Sequence, residues 1–313
     1  MSPTWILLAC IVFLTSNIAL SNQANFQTYL DTKKSLYVWK YPNAQNFIKF
    51  VLDHKFYRVY LFCGSIGGDY KLLVDGNLHS FGDTEAKEVI QTLMSHGVEV
   101  EIALYLNDDP NDFSNAKKFK AVAKGMKKLR KKLKFKAVHF DMEPGKPEVY
   151  QALLKAYETV KKYVPVSAII RPGWLRQRMS DLRPYFTPEY FQKFADCETF
   201  VDAIMKVTDY SDLMAYDRRY STVERFLREY DTIRKRHPKH VAKPCLELDP
   251  KIVEEGLAQE FKNDNNKFYE FLNKVSKQFD GVTIHHYTDW YLDLYCYSPT
   301  VDSEYSRGEA RRC

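Results

Sequence analysis

The chain has 313 residues, of which 45% are hydrophobic and 27% are charged, and its formal net charge at pH 7 is +6. These proportions are those of a globular protein and exclude collagen-like and intrinsically disordered chains. The length allows one large domain or two small ones. Because no shift in composition and no internal repeat divides the sequence, we predict a single domain.

An apolar run at residues 5–21 ends in small residues. This arrangement is typical of a secretory signal peptide, with cleavage expected after Ser21 or Ala24. A retained membrane anchor is the alternative, but the run is short and contains Thr, Ser and Asn. We therefore expect segment 1–21 to be removed and the mature protein to be secreted or lumenal, without stable insertion in a membrane.

The cysteines that would remain after cleavage are odd in number: Cys63, Cys197, Cys245, Cys296 and Cys313. In an oxidising compartment one or two disulfides are expected, and the sequence does not fix their pairing. Cys63 lies in an apolar stretch, which predicts a buried free thiol. No two cysteines have the spacing of a zinc site, so no cysteine-bound metal is expected.

Apolar strands and amphipathic helices alternate along the rest of the chain. Strands are predicted at 35–41, 56–63, 98–106, 137–143, 166–170, 212–217, 241–248 and 281–287. Helices are predicted at 44–54, 84–95, 117–136, 147–163, 189–207, 222–236 and 252–278. This order matches a single-domain α/β fold, the (β/α)₈ TIM-type barrel, at residues 22–297 with a polar tail at 298–313. Pro244 counts against a regular seventh strand, because proline has no N–H to donate to the ladder.

The helix predicted at 117–136 is strongly basic. Eleven Lys and Arg residues and no Asp or Glu lie between Lys117 and Lys136, so the rest of the chain has a net charge of −5. Apolar residues recur in it at intervals of three and four, which indicates a buried face and a basic outer face. The outer face is interpreted as a solvated surface, with an acidic protein surface, a glycan or a nucleic acid as alternative partners. Since no aromatic residues interleave with the basic ones, nucleic acid is not expected.

The predicted fourth strand ends in two carboxylates, Asp141 and Glu143. Side chains alternate along a strand, so both share a face with His139, and roughly 6–7 Å separates their Cα atoms. At this spacing each carboxylate perturbs the pKa of the other. Active sites of TIM barrels lie at the carboxyl ends of the strands, which makes this pair the best candidate site.

Other predicted strand ends are rich in aromatic and charged side chains. They carry Trp39, Tyr41, Tyr105, Arg171, Trp174, Tyr216, Asp217, Glu247, Asp249, His285, His286 and Trp290. Aromatic rings stack on sugar faces and carboxylates carry out glycosidic acid–base chemistry, so the set favours a carbohydrate site. For any single ring, packing in the core is the alternative.

Two motifs resemble those of the family-18 glycoside hydrolases, the chitinases and their relatives. They are Asp141-Met142-Glu143 after the fourth strand and Met214-Ala215-Tyr216-Asp217 after the sixth. The resemblance implies that Glu143 is the general acid and that Asp141 assists the N-acetyl group of the substrate as its carbonyl attacks the anomeric carbon. It also implies that Tyr216 donates a hydrogen bond to that group and that Asp217 binds the sugar.

The sequence departs from the family pattern Asp-x-x-Asp-x-Asp-x-Glu, because Lys136 and His139 occupy the first two aspartate positions. We expect His139 to hold Asp141 by a hydrogen bond, or to add a titrating group, so that Asp141 stays ionised. The tryptophan of the family's eighth strand is replaced by His285 or His286. The residues predicted to bind substrate are Asp217, His139, Trp39, Arg171, Trp174, His285 and Trp290.

The resulting hypothesis is a secreted glycosidase that acts on glycans containing N-acetylhexosamine, without a cofactor or a metal. One alternative is a non-catalytic, chitinase-like glycan-binding protein. Another is a metal-dependent barrel phosphodiesterase, whose ligands would come from Asp141, Glu143, Glu247, Asp249 and one of the two histidines of strand eight. The oligomeric state is not predicted.

Overall fold

The computed structural model describes residues 27–39, 43–65, 83–105, 115–247, 257, 261, 265–285 and 287. The predicted signal segment 1–21 and the predicted tail 298–313 lie outside these ranges. Within them, none of the helices has the length and apolar character that crossing a membrane requires.

Eight parallel strands form a closed barrel. They are β1 Lys34–Val38, β2 Arg58–Ser65, β3 Glu99–Tyr105, β4 Ala137–Asp141, β5 Val166–Ile170, β6 Tyr210–Met214, β7 Val241–Glu247 and β8 Val282–His285. Each strand pairs with the next in the chain, and β8 pairs with β1, where Leu36 lies opposite Ile284. The predicted TIM-type barrel is therefore confirmed.

Helices surround this barrel, one after each of the first seven strands. They are α1 Ala44–Asp53, α2 Asp83–Ser95, α3 Ala116–Leu133, α4 Tyr150–Lys161, α5 Phe200–Val207, α6 Tyr220–Arg234 and α7 Asn265–Gln278. A 3₁₀ turn, Pro147–Val149, precedes α4. Short helical turns fill the long connection before α5: Pro172–Arg176, Met179–Leu182, Arg183–Tyr185, Pro188–Phe191 and Gln192–Phe194.

The basic helix α3 shows why these elements form where they do. The side chain of Asn115 accepts a hydrogen bond from the backbone N–H of Lys118 and so caps the start of the helix. Lys134, at a φ of 61°, ends it in the left-handed conformation. The apolar residues at three- and four-residue spacing are buried against the sheet: Phe119, Val122, Ala123, Met126, Leu129 and Leu133. The prediction of an amphipathic helix is confirmed.

The sequence placed some element boundaries wrongly. Strand β6 was predicted at 212–217 but spans Tyr210–Met214, because Tyr210 already pairs with Ser167 and Val241 on its two neighbours. Asp212 is therefore in the middle of the strand, and Tyr216 and Asp217 follow its end. Strand β4 likewise ends at Asp141. The doubt about Pro244 was unfounded, since β7 continues through it opposite Leu213.

The described cysteines, Cys63, Cys197 and Cys245, are free thiols. Cys63 is buried on the outer face of β2 among the core residues, as predicted. Cys296 and Cys313 lie outside the described residues.

Candidate active site

The carboxylate pair lies at the mouth of the barrel, where β4 ends. Asp141 is 7% exposed, and its Oδ2 accepts a hydrogen bond of 3.3 Å from the hydroxyl of Tyr37 on β1. Burial, followed by the charge of Glu143, raises the pKa of Asp141 to about 7, although the Tyr37 hydrogen bond opposes the change. At neutral pH Asp141 is therefore partly protonated and partly ionised. Glu143 perturbs the pKa of Asp141, as predicted, whereas the expectation that Asp141 stays ionised holds for only part of the molecules at this pH.

Arg171, directly after β5, lies beside Glu143. Its Nη1 donates a 2.8 Å hydrogen bond to the backbone oxygen of Glu143, and its Nε lies 3.9 Å from Glu143 Oε2. The side chains of Arg171 and Glu143 are 38% and 32% exposed, so both are open to a ligand at the mouth. The guanidinium of Arg171 therefore fixes the position of the backbone at Glu143, the candidate acid.

His139 lies one step deeper in the lumen than Asp141 and is fully buried. The hydroxyl of Ser167 donates to Glu101, so its oxygen accepts the Nδ1–H of His139 at 2.6 Å. His139 Nε2 then carries no proton and has no hydrogen-bond partner among the described residues. Burial lowers the pKa of His139 to about 4, so the ring is neutral at pH 7. The predicted hydrogen bond from His139 to Asp141 is not formed, because the ring is turned toward β5.

A chain of hydrogen bonds joins three strands on the opposite side of the mouth. The indole Nε1–H of Trp39 donates to His285 Nε2 at 2.7 Å, and His285 Nδ1 lies 2.5 Å from Oε2 of the buried Glu247. Since Nε2 is the acceptor, the ring proton of neutral His285 is on Nδ1 and points to Glu247. We call this series the Trp39–His285–Glu247 chain. It fixes the orientation of both rings.

Aromatic rings surround the Trp39–His285–Glu247 chain. The centroids of Tyr37 and Tyr216 lie 5.3 Å and 5.5 Å from that of His285. The phenol of Tyr216 lies 3.4 Å from the sulfur of Cys245, and burial raises its pKa far above the usual value, with smaller contributions from Cys245 and Glu247. Tyr216 is therefore a protonated donor at the same mouth as Asp141.

Asp217 is already engaged by a neighbour. It accepts hydrogen bonds from the backbone N–H of Arg219 at 2.8 Å and from its guanidinium at 3.1 Å. The same bonds lower the pKa of Asp217. Asp217 thus fixes the start of α6, and a sugar would have to share its oxygens with Arg219.

Trp174 is placed in the core. It is 2% exposed, donates to the hydroxyl of Tyr150 at 3.0 Å and packs edge-on against Phe200. Its ring has almost no surface left for a ligand. Trp290, also predicted to bind substrate, lies outside the described residues.

A network of polar side chains crosses the lumen below the mouth, and it was not predicted as a unit from the sequence. Its members are Ser35, Tyr60, Asp212, Lys243 and Thr283, which we call the lumen network. Lys243 is fully buried, with its Nζ 3.0 Å from Ser35 Oγ and 3.7 Å from Asp212 Oδ1, and it also donates to Tyr60. Asp212 accepts from Tyr60 at 2.8 Å and from Thr283. Alternation of side chains can show which residues of one strand share a face, but it cannot show which partners they meet across the barrel.

No three His, Cys, Asp or Glu side chains come together as metal ligands within the described ranges. Asp249 and His286, two of the ligands proposed for the phosphodiesterase alternative, lie outside them. That alternative therefore gains no support from the described part of the mouth.

Comparison by sequence gives no relatives, since no protein-family model and no curated protein matches. Comparison by structure does. The spore cortex-lytic enzyme SleL of Bacillus cereus matches with a TM-score of 0.54 and 11% identity over 85% of this chain and 75% of its own. The chain has a chitinase-like barrel fold.

Two chitinases show the same likeness of fold. A chitinase from Chromobacterium violaceum has a TM-score of 0.54 at 10% identity, covering 84% of this chain and 98% of its own. A chitinase from Bacteroides thetaiotaomicron has a TM-score of 0.53 at 15% identity, covering 84% and 93%. The resemblance suggested by the two motifs thus extends to the whole barrel, as a distant likeness of fold.

Proposed function

We propose that the protein is a glycoside hydrolase that cleaves glycans containing N-acetylhexosamine, with Glu143 as the general acid. The observation that carries the proposal is the buried Asp141 beside Glu143 at the end of β4, with its pKa raised to about 7. Such a pair holds a proton near neutral pH and can deliver it to a leaving oxygen. The chitinase-like fold and the motif around Tyr216 support the same chemistry.

In the proposed reaction Glu143 donates its proton to the glycosidic oxygen as the bond from that oxygen to the anomeric carbon breaks. The carbonyl oxygen of the substrate's own N-acetyl group attacks the anomeric carbon from the other side. Asp141, in its ionised form while the proton is on Glu143, orients the N-acetyl group and stabilises its developing positive charge, and Tyr216 donates a hydrogen bond to it. Water then attacks the cyclic intermediate, and the Glu143 carboxylate takes the proton from that water.

The remaining mouth residues would bind the sugar. Trp39 offers an indole face whose orientation the Trp39–His285–Glu247 chain fixes, and aromatic faces of this kind suit sugar rings. Arg171 and Asp217 offer polar contacts at the rim. His139 lies below the mouth and would affect the bound sugar only indirectly. It contacts the ring of Tyr37, with 5.5 Å between the two ring centroids.

Replacing Glu143 by Gln tests the assignment, with Glu148→Gln as the matched control because Glu148 is an exposed glutamate just beyond the site. We expect Glu143→Gln to lower kcat on a chitooligosaccharide by roughly 10²–10⁴-fold, because the amide has no acidic proton to donate. Binding of the oligosaccharide, measured by calorimetry, should remain. Turnover equal to that of the unmodified protein would rule out Glu143 as the acid.

A non-catalytic glycan-binding protein is the second candidate. It is favoured by two of the positions where the sequence departs from the family, His139 and His285, since both are already held by neighbours at the barrel mouth and lumen. In that case the unmodified protein would bind the oligosaccharide without cleaving it, and Glu143→Gln would change neither property.

We also propose that segment 1–21 is a signal peptide and that the mature protein is secreted. Expression of the full chain in a secreting eukaryotic cell should then release a protein into the medium. Sequencing of its N-terminus should begin at Asn22 or Asn25. Retention in the membrane with the first residues intact would favour the anchor instead.

A further inference from the structure

One face of α3 carries an unbroken row of lysines. Lys117, Lys120, Lys124, Lys127, Lys131 and Lys134 follow one another at intervals of three and four, so they line one side of the helix and its C-terminal cap. All six are exposed. At 1.5 Å per residue the row is about 25 Å long, with one positive charge per turn. We call it the lysine row.

The lysine row has no acidic counterpart in the part of the chain that the structure describes. Within the described ranges none of its members forms an ion pair, although many other surface cations of the protein do, such as Arg176 with Glu229 and Lys193 with Glu158. Lys127 instead lies over the ring of Tyr163, 5.5 Å from its centroid. The charges of the row are therefore available to an external anion.

The row does not help the helix to form. Like charges at three- and four-residue spacing repel each other, so each neighbouring pair lowers helix stability. The first turn contains lysines and no acidic residue, and positive charge there opposes the helix dipole. Only the basic residues of the last turn complement that dipole. A role in folding thus does not account for the row.

A cavity of about 340 Å³ lies at the C-terminal end of the row. Its lining is cationic and contains no carboxylate: Lys127, Arg130, Lys131, Lys134, Tyr163 and Val164. In this cavity a single anionic group would lie near several positive charges at once.

We propose that the lysine row binds a linear, sulfated polysaccharide. A polymer with regularly spaced anions matches a straight row of point charges, and lysine ammonium groups do not require the planar geometry that arginine imposes. Single-stranded nucleic acid fits less well because a single ring, Tyr163, lies beside the described part of the row, and binding of successive bases needs a series of stacking rings. A membrane surface fits less well because the exposed residues of α3 include no large apolar side chain to insert.

The test compares two triple variants of the full protein that change the net charge equally. Lys124→Gln, Lys127→Gln and Lys131→Gln neutralise the middle of the row, and glutamine keeps a high helix propensity. Arg225→Gln, Lys239→Gln and Lys277→Gln neutralise exposed cations in the β6–β8 half of the barrel. Affinity for heparin is measured by calorimetry at several NaCl concentrations, and circular dichroism checks that each variant is folded.

We expect the row variant to bind heparin at least about tenfold more weakly and with a shallower salt dependence, because fewer counterions are released. The control variant and Glu143→Gln should bind heparin as the unmodified protein does, which separates this surface from the proposed active site. Absence of heparin binding at low salt, or equal weakening in both triple variants, would overturn the proposal. So would tighter binding of duplex DNA or of phosphatidylserine vesicles than of heparin at the same salt concentration.

Discussion

Asp141 shows how one residue's surroundings determine its chemistry. Glu143 lies two residues further along the chain, so the sequence was sufficient to predict that each carboxylate changes the pKa of the other. The larger cause of its raised pKa is burial, which depends on Tyr37 and the closed mouth of the barrel. Alternation along β4 also placed His139 correctly on the inner face. It could not reveal Ser167, the actual partner of His139, which lies on another strand.

The raised pKa of Asp141 has a consequence for stability. In the unfolded chain an aspartate titrates near 3.9, whereas in the folded protein Asp141 titrates at about 7, so the folded state binds the proton more tightly. Burying the neutral acid costs little free energy, whereas burying the ionised carboxylate costs much more. The free energy of unfolding should therefore fall as the pH rises from about 4 to about 7.

Asp141→Asn removes this ionisable group while keeping its shape. At pH 8 the variant should be more stable than the unmodified protein by up to about 4 kcal/mol, and this difference should vanish near pH 4. Urea unfolding at the two pH values measures it, with the exposed Asp181→Asn as a control. A stability difference that does not depend on pH would contradict the assignment.

At the level of elements, periodicity predicted the helices better than the ends of the strands. The amphipathic pattern located α3 within three residues at either end, and the apolar run located β5 at its observed bounds. The start of strand β6 was placed two residues too late, because its first residues, Tyr210 and Ser211, are polar or amphipathic and are not part of an apolar run. Asp212 lies inside the barrel because partners on other strands satisfy it.

Between β5 and α5 the sequence predicted one helix at 189–207, of which only Phe200–Val207 forms α5. The connection before it consists of short helical turns. Its short helical turns pack Trp174 against α4 and α5, and this explains why a tryptophan at a strand end is in the core. A sequence pattern gives the position of such a residue along a strand. It does not show whether the chain then turns toward the mouth or toward the helices.

For the molecule as a whole, the alternation of strands and helices was sufficient to predict the barrel. The lumen network was not predictable, since it joins β1, β2, β6, β7 and β8 across the interior. Its pairs, such as Ser35 with Lys243, are separated by up to 208 residues along the chain. Only the closed ring brings them together.

We expect that the loss of one member of the lumen network lowers the free energy of unfolding strongly. Lys243→Met should lower the free energy of unfolding by about 3–5 kcal/mol, because Asp212 is left as a buried charge without its cation. The double variant Lys243→Met with Asp212→Leu should recover part of that loss. Urea unfolding measures both, and the exposed Lys239→Met should change little. Equal stability of Lys243→Met and the unmodified protein would show that the pair is not coupled.

The pairing of β1 with β8 makes assembly of the barrel slow to complete. The two strands are about 250 residues apart in the chain. At a synthesis rate of about 5–20 residues per second, β8 is made roughly 12–50 s after β1. During that interval the edge of β1 has no partner, and an open edge of this kind invites pairing with other chains. We therefore expect that the open edge of β1 has to be shielded from other chains in the cell until β8 has been synthesised.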